Sequence, residues 1–114
     1  MGLFKRRGGV PTISPNEAAE RLARGGLVLR DVREPSELAE MSIAAAVHIP
    51  LGDLEARRGE LSRERPIAVI CRAGSRSASA TEALRREDLD ASSVQGGIIA
   101  WQQAGLPVRQ PPQR

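Results

Sequence analysis

Aromatic residues are scarce in this 114-residue chain, which has no tyrosine, one phenylalanine (Phe4) and one tryptophan (Trp101). Surfaces that bind single-stranded nucleic acid usually stack bases on several aromatic rings, so a platform of that kind is excluded. The net charge is only +3, and the basic residues near both ends are interpreted as solvated charge rather than as a nucleic-acid arm. We therefore expect no nucleic-acid partner, and we expect Trp101 to pack in the core.

Cysteine and histidine each occur once, as Cys71 and His48. A single cysteine excludes an intramolecular disulfide, and one cysteine with one histidine cannot build a Cys/His zinc site. We expect neither a metal nor another cofactor. A lone thiol is either a small buried hydrophobe or a reactive nucleophile, and its neighbours in the sequence must decide between the two.

Long apolar runs are also missing from the sequence. No stretch approaches the length that spans a bilayer, and no apolar signal-peptide core follows the first residues. These features predict a cytoplasmic protein with no membrane partner. Apolar residues make up 40% and charged residues 27% of the chain, which is typical of a globular protein, and the length suits one domain.

Helix and strand signals alternate along the chain. Ser14, Pro15 and Glu17 predict the start of a helix, and a strand is expected over residues 27–29. Residues 67–70 form an apolar run without polar alternation, which is typical of a strand covered on both faces of a parallel sheet. The alternation predicts an α/β fold with a mainly parallel central sheet flanked by helices.

Both ends are expected to lie outside the folded domain. Gly8, Gly9 and Pro11 interrupt the beginning of the chain, and residues 109–114 are rich in proline and glutamine. We expect a flexible basic arm over residues 1–12 that is dispensable for activity, one domain over residues 13–108, and a flexible tail over residues 109–114.

The informative segment begins at Cys71, at the carboxyl end of the predicted strand over residues 67–70, where open α/β sheets bind ligands. A short loop containing Gly74 follows, and then a helix. Loop N–H groups and a helix N-terminus can both hold an anion, and Arg72 and Arg76 add positive charge. All of these favour the thiolate, which is the nucleophilic form. The alternative is a buried cysteine at a strand end beside unrelated surface arginines.

Several motifs, in order from about Ile13 to Val108, resemble those of the rhodanese family. They are DVREP at 31–35, HIPL at 48–51, CRAGSRS at 71–77, GGI at 96–98, AW at 100–101 and GLPV at 105–108. The resemblance implies a rhodanese-like three-layer sandwich. It also implies a sulfurtransferase that takes sulfane sulfur from a small anionic donor, such as thiosulfate or a persulfide, and passes it to cyanide, a small thiol or a protein.

The resemblance also implies roles for the residues of the loop. Cys71 would be the nucleophile and the carrier of a persulfide. Backbone amides would cradle the anion or the persulfide sulfur, and they belong to Arg72, Ala73, Gly74, Ser75 and Arg76. Two segments depart from the family pattern: residues 41–46 read MSIAAA where the family usually has GHIPGA, and Asp88 stands where a glycine usually ends the helix after the loop. These departures affect local geometry and partner surface rather than chemistry.

Other polar residues near the predicted site are expected mainly to support it. Asp31 and Arg33 are predicted to form an ion pair that fixes the loop after their strand, with contact to substrate as the lesser alternative. Ser75 and Ser77 have no evident base nearby and are expected to cap the helix or to hydrogen-bond the loop. His48 lies in a predicted strand without a neighbouring carboxylate, which favours a structural histidine.

Two other functions compete with sulfur transfer. Cysteine-dependent phosphatases and arsenate reductases also hold a thiolate in an amide cradle, but their loop is typically Cys-x5-Arg. Here Arg76 is the fifth residue after Cys71, so the loop is one residue shorter, which favours a single sulfur atom as cargo. The other alternative is a non-catalytic interaction module, which would usually have lost the cysteine.

Overall fold

A six-stranded sheet forms the centre of the protein, as seen in a computed structural model that describes residues 5–7 and 9–111. Its strands are β1 (Lys5–Arg7), β2 (Val10–Ile13), β3 (Val28–Asp31), β4 (Val47–His48), β5 (Ile67–Ile70) and β6 (Ala91–Val94). They lie in the order β1-β2-β6-β5-β3-β4, and β1 pairs antiparallel with β2 while the other pairings are parallel. The predicted α/β fold with a mainly parallel sheet is confirmed.

Helices cover both faces of this sheet and produce three layers. They are α1 (Pro15–Ala23), α2 (Pro35–Glu40), α3 (Ser75–Arg86) and α4 (Gly97–Gln103). Along β5, Ile67 and Val69 join the apolar cluster that contains Leu84 of α3, whereas Ala68 and Ile70 join the cluster that contains Trp101 of α4. All four residues of β5 are therefore buried, as the unbroken apolar run predicts.

Local signals at several element ends match the structure. The hydroxyl of Ser14 accepts the N–H of Glu17 at 3.1 Å and caps α1. Asp88 adopts a left-handed backbone conformation with φ of 63°, which is uncommon outside glycine but tolerated by aspartate.

Within the part of the chain that the structure describes, no helix is long and apolar enough to cross a membrane.

Leu51, Leu54 and Leu61 predict a helical stretch between β4 and β5, but the structure differs there. Two short 3₁₀ turns, Leu51–Asp53 and Arg58–Glu60, take its place. Gly52 and Gly59 lie inside these turns, and glycine destabilises the interior of an α-helix. Leu54 and Leu61 are nevertheless buried, so this irregular segment still contributes to the core.

The beginning of the chain also differs from expectation, because β2 belongs to the sheet. Thr12 and Ile13 pair with β6, and Val10 and Ile13 are buried hydrophobic residues. Residues 5–7 and 10–12 thus lie in strands of the sheet, contrary to the prediction of a flexible arm over residues 1–12. Pro11 removes one N–H donor, yet the strand retains its pairing with β6 on the following residues. Residues 1–4 and 8 of the expected arm lie outside the described residues.

The last described segment is held to the domain by hydrogen bonds. The indole Nε1–H of Trp101 donates to the carbonyl of Pro107 at 3.0 Å. Arg109 forms an isolated antiparallel bridge with Ser42, with N···O distances of 2.7 and 2.9 Å. The expected tail over residues 109–114 thus begins with a residue that is bound to the rest of the domain, and residues 112–114 lie outside the described part.

We predict that deleting residues 1–12 destabilises the protein. The deletion removes most of β2, including Val10, and burying one such side chain is worth roughly 1.5–3 kcal/mol. Urea unfolding should show a loss of about 2 kcal/mol or more in the free energy of unfolding. An unfolding midpoint equal to that of the full chain would mean that β2 is dispensable after all.

Candidate active site

Cys71 follows β5 directly, at the edge of the sheet where the parallel strands end. The chain turns after it and enters α3 at Ser75. The cysteine is only 1% exposed, because α3 covers it on one side and the sheet lies beneath it. The short turn 71–74 therefore decides which polar groups reach the sulfur.

Several hydrogen-bond donors converge on the Sγ atom of Cys71. The N–H of Gly74 lies 3.1 Å from it and the N–H of Ser77 3.3 Å, and the N–H of Ala73 also contributes. The thiol in turn lies 3.4 Å from the hydroxyl oxygen of Ser77. Gly74 has a φ of 119°, a conformation that other residues rarely adopt, and this turn aims its N–H at the sulfur.

The pKa of the Cys71 thiol is lowered from its ordinary value. Burial is the largest single influence and acts in the opposite direction, raising the pKa. Hydrogen bonds from the side chain and backbone of Ser77, and from the backbones of Gly74 and Ala73, together outweigh burial. Because hydrogen bonds to sulfur stabilise the anion, the loop favours a thiolate, which is the reactive form of cysteine.

The two arginines of the loop have different surroundings. Arg76 is half-buried and forms a bidentate ion pair with Glu37 of α2, with N···O distances of 2.6 and 2.8 Å. The hydrogen bond from Arg76 holds the pKa of Glu37 at about 2, and the carboxylate raises the pKa of Arg76. Its charge is therefore largely compensated, so Arg76 adds less positive charge beside the thiol than the sequence predicts. Arg72 is exposed and has no ion-pair partner among the described residues.

A buried ion pair lies beneath α2. Arg33 donates to the carboxylate of Asp31, with an Nη2···Oδ2 distance of 2.7 Å, and to the carbonyl of Met41 at 2.8 Å. Nε2 of His48 lies 2.6 Å from the carbonyl oxygen of Arg33, which can only accept, so the nitrogen carries the proton. Both geometric expectations, an Asp31–Arg33 ion pair and a hydrogen-bonded structural histidine, match the structure.

Comparison with known proteins assigns this chain to a family. The family model of the Rhodanese-like domain matches residues 14–104. The chain belongs to the rhodanese-like domain family. A protein named sulfurtransferase from Allochromatium vinosum is 33% identical over 104 residues, which cover 90% of this chain and 97% of that protein. Thiosulfate sulfurtransferase GlpE of Actinobacillus pleuropneumoniae is 31% identical over 97 residues, covering 84% of this chain and 90% of that protein.

Solved structures agree with this assignment. A rhodanese-related protein from Thermoplasma volcanium superposes with a TM-score of 0.80 at 38% identity, covering 86% of this chain and 96% of that chain. The resemblance identified from motifs is confirmed, and so is the rhodanese fold. At the level of the family, the similarity supports a sulfurtransferase.

The rhodanese-like domain brings most of the predicted site residues together. Gly74 donates its N–H to the sulfur, the backbone of Ala73 helps to lower the pKa of the thiol, and Ser75 is exposed and begins α3. Ser77, predicted only as a supporting residue, contacts the sulfur with both its N–H and its hydroxyl. Sequence reasoning missed Glu37 and Ser93, the partners of Arg76 and Ser77, because each lies far along the chain from its partner.

We predict that Arg33→Ala strongly destabilises this rhodanese-like domain. Removing one partner of a buried ion pair leaves the other charge without compensation, which typically costs about 3–5 kcal/mol. The matched control is Arg24→Ala, which breaks an exposed pair with Glu20 and should cost about 0–1 kcal/mol. Urea unfolding measures both losses. Equal effects of the two substitutions would show that the Asp31–Arg33 pair does not hold the β3–α2 connection.

Proposed function

We propose that this protein moves sulfane sulfur from thiosulfate or a persulfide donor to a thiophilic acceptor, and that Cys71 carries the sulfur as a persulfide. The observation that supports this most strongly is the set of groups around Sγ: the N–H groups of Gly74 and Ser77 donate to it at 3.1 and 3.3 Å, and the Ser77 hydroxyl, at 3.4 Å, can donate once the thiol has lost its proton. These groups stabilise a negative sulfur before the donor arrives, and preorganised donors of this kind reduce the energy of charged intermediates.

The first half-reaction begins with attack of the Cys71 thiolate on the outer sulfur of thiosulfate. A new S–S bond forms to Sγ, the bond between the two thiosulfate sulfurs breaks, and sulfite leaves with the electron pair. Cys71 then carries a persulfide anion. In the second half-reaction, cyanide or a thiolate attacks the outer sulfur and takes it, and the Cys71 thiolate is regenerated. Two such steps through a covalent intermediate give ping-pong kinetics.

The support for a small anionic donor comes from Arg72. A cavity of about 240 Å³ beside the loop is lined by Arg72 and Arg33 and also by Glu37 and Glu40, and Arg33 and Glu37 are each engaged in an ion pair. Arg72 is the exposed cation next to the cysteine, and it would attract an anion toward the turn. We propose that the acceptor, whether a small thiol, cyanide or a protein, uses the same approach, and that the reaction takes place in the cytoplasm, where a lone thiol stays reduced.

Phosphatase or arsenate reductase chemistry receives less support. The guanidinium of Arg76 forms a bidentate ion pair with Glu37, so its donors are already engaged rather than free to surround a tetrahedral oxyanion. The turn is also one residue shorter than a Cys-x5-Arg loop. A non-catalytic interaction module would have no need of a sulfur that accepts several hydrogen bonds.

We predict that incubation with thiosulfate adds the mass of one sulfur atom to the wild-type chain. The chain has one cysteine, so Cys71→Ser should gain nothing and should lose thiosulfate-to-cyanide turnover. Intact-mass spectrometry, followed by addition of cyanide to remove the sulfur, measures both half-reactions. A Cys71→Ser variant that still gains sulfur or still turns over thiosulfate contradicts the proposed carrier.

We also predict that Glu37→Gln lowers the apparent KM for thiosulfate, because it leaves the Arg76 charge uncompensated near the loop. One additional, partly exposed cation is worth under about 1 kcal/mol, so we expect a change of roughly threefold. Glu64→Gln removes the same charge from an exposed residue before the start of β5, at the opposite end of this strand from Cys71, and it should leave the KM nearly unchanged. Equal changes in the two variants would indicate a general effect of net charge.

A further inference from the structure

Ser93 of β6 lies at the end of a buried hydrogen-bonded chain that begins at the reactive sulfur. Its hydroxyl oxygen is 2.7 Å from that of Ser77, and the hydroxyl of Ser77 is 3.4 Å from Sγ of Cys71. Ser77 and Ser93 are 0% and 3% exposed. Among the hydrogen bonds of the described residues, the side chain of Ser93 has Ser77 as its partner, so Ser93 does not touch the sulfur itself.

The number of hydroxyl and thiol protons shared by Cys71, Ser77 and Ser93 determines which of these groups donates to which. Ser77 has one hydroxyl proton and three neighbours: Sγ of Cys71, the carbonyl oxygen of Gly74 at 3.1 Å, and the hydroxyl of Ser93. A hydroxyl can donate once and accept twice. If Ser77 donated to Ser93, no proton would remain for a thiolate.

The thiol state satisfies every group in this arrangement. Cys71 donates to Ser77, Ser77 donates to the carbonyl of Gly74, and Ser93 donates to Ser77. When Cys71 loses its proton, the hydroxyl of Ser77 can turn toward the sulfur. The carbonyl of Gly74 keeps a second donor, the N–H of Ala78 at 3.0 Å, so this rotation leaves no buried carbonyl without a partner.

We propose that Ser93 is a positioning residue, whose hydroxyl donates to Ser77 and thereby directs the Ser77 proton to the sulfur of Cys71. When Ser93 donates to Ser77, the Ser77 proton remains free for the sulfur. The Ser77 hydroxyl also becomes a stronger donor, because it accepts a hydrogen bond itself. This inference deepens the proposed function and rests on Cys71 as the reacting thiol. Its test follows alkylation rather than sulfur transfer, so the two proposals can fail separately.

The test measures the rate of iodoacetamide alkylation of the full chain as a function of pH. The chain has one cysteine, so the inflection of this profile gives the pKa of Cys71, whatever the access to the buried sulfur does to the absolute rate. The wild-type inflection should lie below that of a free cysteine model, as the lowered pKa indicates. Ser93→Ala should move it upward by roughly half a pH unit, the equivalent of one modest hydrogen bond.

Ser92→Ala is the matched control, because Ser92 is the preceding residue of β6 and is equally buried. In the sheet Ser92 pairs with Ala68 and Ser93 with Val69, and these two residues of β5 belong to different apolar clusters. Ser92 therefore lies on the opposite face from Ser77. Its substitution should leave the inflection in place, and a shift equal to that of Ser93→Ala would overturn the proposal.

Charged groups near the sulfur are the same in all these variants. They are Arg76 and Glu37, which pair with each other, Asp31 and Arg33, which form the buried ion pair, the exposed Arg72, and His48, which donates to the carbonyl of Arg33. Their influence on the pH profile is common to every variant and cancels in the comparison. A difference between Ser93→Ala and wild type therefore reports on the hydroxyl.

A double-mutant cycle distinguishes action through Ser77 from a direct effect. In a Ser77→Ala background, Ser93→Ala should produce no further shift, because the intermediary is absent. An equal shift in both backgrounds, or no shift in the wild-type background, would overturn the proposal.

If Ser93→Ala fails to fold, Ser93→Thr and Ser93→Val provide a pair of equal shape that suits a strand. Val should then show the higher inflection, and identical values for the pair would overturn the proposal.

Discussion

The orientation of two peptide groups at Cys71 and Arg72 is the constraint on which the site depends. Their carbonyl oxygens accept the N–H groups of Ile98 and Ile99, at 2.8 and 3.2 Å, from the first turn of α4. A β-carbon at Gly97 would collide with these same carbonyls, and its positive φ of 63° also favours glycine. These two hydrogen bonds fix the backbone where the turn begins, and the N–H groups of Gly74 and Ser77 further along the turn contact the sulfur. Sulfur stabilisation by the turn is thus coupled to the packing of a helix that contributes no group to the sulfur.

The positions of the charged side chains around the site depend on a second set of contacts, which involve α2. The buried pair of Asp31 and Arg33 fixes the connection between β3 and α2, since Arg33 also donates to the carbonyl of Met41 at the end of α2. This position places Glu37 against Arg76 of α3. One loop arginine is therefore part of the scaffold, and Arg72 remains as the exposed cation beside the thiol. Two arginines that look equivalent in the sequence have different physical roles.

The sequence allowed prediction of those parts of the site that depend on neighbours along the chain. The apolar residues of β5, the position of Cys71 after them and the turn at Gly74 all produce local signals. Equally local features, Gly9 and Pro11, predicted a flexible arm. Pairing with β6 instead makes β2 part of the sheet and of the core, and this pairing is not visible in the local sequence. The partners Glu37 and Ser93 lie 39 and 16 residues from Arg76 and Ser77. No periodicity or spacing connects residues that meet only through the fold, so these contacts could not be predicted.

The scarcity of aromatic residues has an optical consequence. Trp101 is the single tryptophan, no tyrosine is present, and the indole is buried on α4 with its N–H bound to the carbonyl of Pro107. Intrinsic fluorescence excited at the red edge of the absorption band therefore arises from one fluorophore, on the helix that orients the carbonyls of Cys71 and Arg72. Its emission wavelength and accessibility to quenchers report whether α4 remains docked. The protein thus contains its own spectroscopic probe for the integrity of the sulfur-binding turn, without any label.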